Sequence, residues 1–126
     1  MNPALAFALV CLAGGVGAAL RFVVDGAVRS RWSLAFPLGT VLINVSGSFV
    51  LGALTGAALH GALSHALLLV LGGGLMGGYT TFSTASLETY RLAAECRIGP
   101  ALANGAGTLV VAAFAAALGL ALGAAL

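Results

Sequence analysis

Charge is the scarcest feature of this sequence. Five basic and three acidic side chains serve 126 residues, 6% of the chain, while 61% is hydrophobic and the mean hydropathy is +1.15. No soluble domain of this size needs so much apolar surface, so the class is an all-α integral membrane protein. A formal net charge of +2 is too small to argue for a nucleic-acid partner. Cysteine is equally sparse: Cys11 and Cys96 lie in distant segments without metal-like spacing and read as ordinary small residues. His60 and His65, in a short loop, read as surface residues. No nucleophile–base pair or metal cluster stands out, which argues against an enzyme. The N-terminus lacks the basic start of a signal peptide, and its apolar run is long enough to span.

A spanning helix takes ~20 apolar residues, which leaves room for four helices in a single domain over residues 1–126 and little else. Glycine, at 19 residues, is well above its usual share, as in membrane helices whose backbones approach closely. The first helix is expected from Pro3 to Val24, with a small-residue face at Gly14, Gly15 and Gly17 and with Arg21 at its end. Arg21 reads either as a surface arginine or as a cation at a pore vestibule. A loop from Asp25 to Phe36 follows, with Trp32 suited to the membrane interface. The second helix is expected over Pro37 to Leu59. Along it Thr40, Asn44, Ser48, Gly52 and Gly56 recur every four residues, so one face is polar or small. That face serves helix packing, a solute path, or both at opposite ends.

The third helix, from about Ala66 to Tyr90, contains GGGLMGGYTTFSTASLE, Gly72 to Glu88. Five of the first seven residues of that stretch are glycine. Each glycine costs a helix about 1 kcal/mol relative to alanine. Broken backbone at membrane depth persists only where protein buries it or a polar cavity meets it. The stretch therefore reads as a helix break that builds a site for an ion or small polar solute. Glu88 and Arg91 are spaced to pair on one helix face. Gly99-Pro100 reads as the end of the segment. The fourth helix is expected over Ala101 to Leu126, with Asn104 and Thr108 as its polar pair and Gly119 and Gly123 as a packing contact.

Taken together, GGVGAALRF (Gly14 to Phe22), PLGTVLINVSGSFVLG (Pro37 to Gly52) and GGYTTFSTASLE (Gly77 to Glu88) resemble the CrcB/Fluc family of fluoride channels. The resemblance implies an antiparallel dimer of four-helix subunits with two shared pores. It implies a structural sodium ion held by backbone carbonyls at the break in the third helix, with Gly77 and Thr80 at the matching positions. It implies fluoride as the permeant ion, with Asn44, Thr40, Ser83 and Thr108 as donors along the pore. It implies that Phe82 is the ring facing the anion, with Arg21 matching the family's vestibule arginine and Glu88 its acidic position. The implied role is passive fluoride export and fluoride resistance.

The chain departs from the family pattern in two ways. Ala85 stands where a second phenylalanine is common, and Ala112 shortens the polar track of the fourth helix. Charge placement is also lopsided. Arg21, Arg29, Arg31, Arg91 and Arg97 all fall at one end of four spans, which predicts a single orientation in the cell membrane with both termini outside. A dual-topology homodimer should show little such bias. The partner is thus either a second copy or an oppositely inserted paralogue, and a partner-dependent or non-conducting subunit is the second reading. A small multidrug-type transporter is the third. Proton coupling there needs a deep carboxylate, and none is expected in the first two helices.

Overall fold

The computed structural model describes residues 2–126, and among these every regular element is helical. Four helices are long and apolar enough to cross a membrane: Pro3–Arg31, Leu38–Leu59, His65–Ala94 and Ile98–Ala124. We label Pro3–Arg31 α1 and Leu38–Leu59 α2. The third span divides into α3, residues 65–79, and α4, Phe82–Ala94; Ile98–Ala124 is α5.

The helix α1 is longer than expected. Its 29 residues correspond to about 43 Å at 1.5 Å per residue, against a hydrocarbon core of about 30 Å. Asp25, Arg29 and Arg31 are therefore on a helix and not in a loop. The extra turns are held by an Arg29–Asp25 ion pair at 2.9 Å, an i,i+4 spacing. The expectation that α1 carries no acidic residue is corrected by the same observation, although Asp25 lies in its far end and beside an arginine. At the other end Asn2 caps the helix by accepting the Ala4 N–H at 2.9 Å.

Within Gly72 to Glu88, the glycines themselves do not break the third span. Leu69–Met76 is π-helical and Gly77–Tyr79 returns to α geometry. Small side chains let the backbone widen to i→i+5 bonding, here Gly77 N–H to the Gly72 carbonyl. The helix is lost one step later, at Thr80 (φ −75°, ψ 160°) and Thr81 (φ −149°, ψ 119°). A second π segment, Ala103–Gly107, falls in the equally small-residue start of α5. Gly99 and Pro100 do not end the third span; they sit in the first turn of α5, which begins at Ile98. Proline is accepted there because the first amides of a helix have no intrahelical partner.

Two glycine seams hold the bundle. Along α2 and α5, a Cβ at Gly52 or Gly56 would run into the carbonyls of Ala116 or Leu120. In return, Gly119 and Gly123 lie against the carbonyls of Phe49 and Ala53. Along α1 and α3, Gly17 meets the Leu75 carbonyl and Gly78 meets the Gly14 carbonyl. With no hydrophobic drive between helices in lipid, such backbone contact is what makes association favourable. The small core between the seams is Ile43, Met76 and Tyr79, with Val24, Leu54 and Leu75 packed against it.

The ends of α2 and α4 close in the same way with different residues. Gly61 (φ 81°) follows α2, with Ala62 N–H bonded to the Ala57 carbonyl at 2.9 Å. Cys96 (φ 58°) follows α4, with Arg97 N–H bonded to the Leu92 carbonyl at 2.9 Å. Both are left-handed helix caps, a conformation that glycine adopts freely and a side chain does not. We expect Cys96→Gly to raise stability by about 1 kcal/mol, read as a higher melting temperature in detergent.

Candidate functional site: a polar groove at the broken third span

The break is held by Asn44 on α2. Its Nδ2 donates to the Thr81 carbonyl at 2.9 Å, and its Oδ1 accepts the Thr81 N–H at 2.8 Å. The amide thus pairs with both backbone groups of one extended residue, as a neighbouring strand would. Thr81 then caps α4, its Oγ1 accepting the Thr84 N–H at 3.2 Å.

These two bonds decide what becomes of two carbonyls. In an unbroken helix the Thr81 N–H would serve the Gly77 carbonyl, and the Thr84 N–H the Thr80 carbonyl. Both donors are engaged elsewhere, so Gly77 and Thr80 each lose their helical donor. Gly77 is exposed, with nothing within 4 Å of a Cβ built on it. Thr80 is half-buried; its Oγ1 donates to the Met76 carbonyl at 2.9 Å, and its methyl fills the space a side chain at Gly47 would need. Carbonyl oxygens freed in this way suit a hard cation.

Beside the break lies an open groove of about 690 Å³, lined by residues of α2, the 80–93 segment and α5. Of the residues proposed from sequence, the structure brings Asn44, Ser48, Thr80, Phe82 and Thr108 onto this groove. Ala85 and Ala112 line it as well, so both departures from the family pattern bear on its wall. Asn44 has one N–H of its amide committed to Thr81, which leaves the second. Phe82 is 88% exposed, its ring standing free of the subunit. Thr108 is buried and its Oγ1 has no partner.

Other sequence-proposed residues lie elsewhere. Ser83 is exposed and not among the groove residues; its Oγ is 3.4 Å from Thr81 Oγ1. Thr40 is buried toward the charged end, where its hydroxyl donates to Glu88 Oε1 at 3.0 Å. Arg21 is half-buried and lines neither the groove nor the charged cavity. That cavity, of about 360 Å³, gathers Asp25, Arg29, Glu88, Arg91, Glu95 and Arg97 at one end of the bundle. Glu88 does not form an ion pair with Arg91 as the spacing suggested. Its Oε1 approaches Arg29 Nη2 at 4.0 Å instead, because the extra turns of α1 carry Arg29 across to it.

A family model described as CrcB-like protein, Camphor Resistance (CrcB), matches residues 8–120. The chain belongs to the CrcB family. Curated relatives agree along nearly its whole length. It is 51% identical over 123 residues to "Fluoride-specific ion channel FluC 1" of Leifsonia xyli subsp. xyli, covering 98% of this chain and 89% of that protein. It is 50% identical over 115 residues to "Fluoride-specific ion channel FluC 2" of Cutibacterium acnes, covering 90% and 94%. It is 42% identical over 111 residues to "Fluoride-specific ion channel FluC 3" of Bifidobacterium longum, covering 88% and 92%. Membership of this family and four span-capable helices make the chain a multi-pass membrane protein.

Residues outside the CrcB motifs also shape this groove. Asn104 is fully buried and donates to the Ala85 carbonyl at 3.2 Å and to Thr89 Oγ1 at 2.9 Å. Thr89 in turn donates to the same Ala85 carbonyl at 2.8 Å. The triangle fixes α4 to α5 and orients the Asn104 amide. The i,i+4 spacing of Asn104 and Thr108 was the available signal. Thr81 and Tyr90, also on the groove wall, carried none beyond lying in or near the hydroxyl-rich stretch.

Proposed function

We propose that the chain is a subunit of a fluoride-selective channel that lets the anion leave the cell passively and so confers fluoride resistance. The observation that carries this is the interrupted span opening on a groove with Asn44, Phe82 and Thr108, in a chain whose relatives are named fluoride-specific ion channels. Fluoride is small and holds its water firmly, so a pore must replace that water with donors. The free N–H of Asn44 and the unpartnered hydroxyl of Thr108 are such donors. The edge of the Phe82 ring carries partial positive charge and faces an anion without trapping it. Ser83 joins this path only outside the groove, Thr40 has its one hydroxyl hydrogen committed to Glu88 and so drops out as a donor to the anion, and Arg21 serves as a more distant vestibule charge.

The same reading includes a structural sodium ion at the Gly77 and Thr80 carbonyls, a site their lost helical donors fit. Held there, the cation would tie broken spans together and would not be transported. It also includes an antiparallel dimer. An aromatic ring 88% exposed beside a polar groove, and open space at Gly77, favour closure by a second subunit. Arginines gathered at one end favour both termini outside. That bias, with Ala85 in the groove wall and numbered FluC 1, 2 and 3 proteins among the relatives, supports an oppositely inserted paralogue as partner; a homodimer is the alternative.

Fluoride efflux from liposomes, read with a fluoride electrode, separates these. Efflux with the protein alone supports a homodimer, and efflux only after mixing with the paralogue supports the heterodimer. Efflux in neither case sinks the channel reading. Cysteines placed at the two termini, labelled in cells expressing this chain alone, should react from outside only; equal labelling from both sides would remove the orientation bias. In conducting liposomes we expect Phe82→Ile to slow efflux by about fivefold, the rate equivalent of about 1 kcal/mol of lost ring-edge stabilisation, without changing the yield of folded protein.

A further inference from the structure

Asn44 enters the proposed function as a donor to the anion, yet most of its hydrogen bonding is spent on the backbone. We infer that Asn44 and Thr81 are positioning residues that hold the Gly77 and Thr80 carbonyls open toward the cation, each by occupying the amide that would otherwise close the helix over one of them. The inference rests on the cation part of the proposed function and goes beyond it. It assigns the site's supporting shell, with one side chain for each carbonyl.

The assignment is made atom by atom. Asn44 Oδ1 takes the Thr81 N–H, the natural partner of the Gly77 carbonyl. Asn44 Nδ2 holds the Thr81 carbonyl at 2.9 Å, so the residue cannot rotate back into helical geometry without breaking both bonds. Thr81 is only 8% exposed, and its backbone groups have no water to turn to. Thr81 Oγ1 takes the Thr84 N–H, the natural partner of the Thr80 carbonyl, and meets Thr84 Oγ1 at 3.1 Å. Gly47 completes the seat, since any Cβ there would strike the Thr80 methyl. Remove either side chain and the released amide has a nearby carbonyl to recapture. The cation site would then close by ordinary helix formation.

The test reads cation binding apart from flux. The full-length protein in detergent is melted in sodium chloride and in the chloride of a large organic cation. The wild type should melt higher in sodium, with a saturable dependence on its concentration. Asn44→Ala and Thr81→Val should each raise the half-saturating sodium concentration by about tenfold or more, as loss of a metal site's supporting hydrogen bonds does. Thr81→Ser, which keeps the hydroxyl, should respond like the wild type. Thr81→Val keeps the volume of the side chain, so it carries the test if Asn44→Ala does not fold. Wild-type sodium dependence in Thr81→Val or Asn44→Ala overturns the inference alone. A wild type indifferent to sodium removes the cation reading and this inference with it, while fluoride efflux stands or falls separately.

Discussion

Gly119→Leu should leave almost no folded protein. Gly119 lies against the Phe49 carbonyl and the Ala53 amide of α2, so an added side chain meets backbone on both counts. A flexible side chain can move aside; a helical carbonyl moves only with its helix. Overpacking in an adjustable core costs about 1–3 kcal/mol, and here the alternative is separation of α2 from α5. A cost above about 3 kcal/mol consumes much of the ~5–15 kcal/mol that holds a domain together. Gly52→Leu should behave alike, since Gly52 meets the Ala116 carbonyl from the other side of the seam. Gly15→Leu is the control. It has nothing within 4 Å, so the change should be neutral or mildly favourable through helix propensity. The monodisperse fraction after detergent extraction and mild heating reads the difference. A Gly119→Leu protein that extracts and melts like the wild type would mean the seam is not closed as described.

The next largest loss is expected from Asn104→Asp. The substitution is almost isosteric, so packing is kept and the chemistry alone changes. Asn104 is fully buried, and its Nδ2 meets two groups that accept: the Ala85 carbonyl, and a Thr89 hydroxyl whose own hydrogen is given to that carbonyl. Replacing the donor by a carboxyl oxygen sets oxygen against oxygen and buries an acid with no cation on the groove wall. Loss of two hydrogen bonds together with an unsatisfied buried group comes to about 3 kcal/mol or more. Asn104→Leu, which removes the bonds without burying charge, should cost less, about 2 kcal/mol. Melting temperatures in one detergent should rank wild type above Leu above Asp. The reverse order of the two variants would mean that the triangle does not orient the amide.

Much of this protein was legible before any fold. Four spans follow from apolar length, and the family from three motifs in order. The two glycine pairs on the second and fourth helices announced their seam because a four-residue repeat of small side chains puts them on one face. What remained hidden depended on partners distant in sequence. Asn44 and Thr81 are 37 residues apart, so nothing local reveals that the Asn44 amide clamps the Thr81 backbone. The glycines proved to widen the helix, and the loss of helix fell at Thr80–Thr81, where side chains outbid the backbone for its own amides. Glu88 took Arg29 over its local neighbour Arg91 because α1 runs past the membrane core.

Periodicity, composition and motif order are properties of the chain itself, and they determined the membrane class, the number of spans and the candidate residues. Which carbonyls go unpaired, which carboxylate meets which arginine, and which hydroxyls reach the groove depend on how separate helices lie against one another. Only the folded arrangement decided those, because hydrogen bonds between helices are set by distances that no stretch of sequence contains.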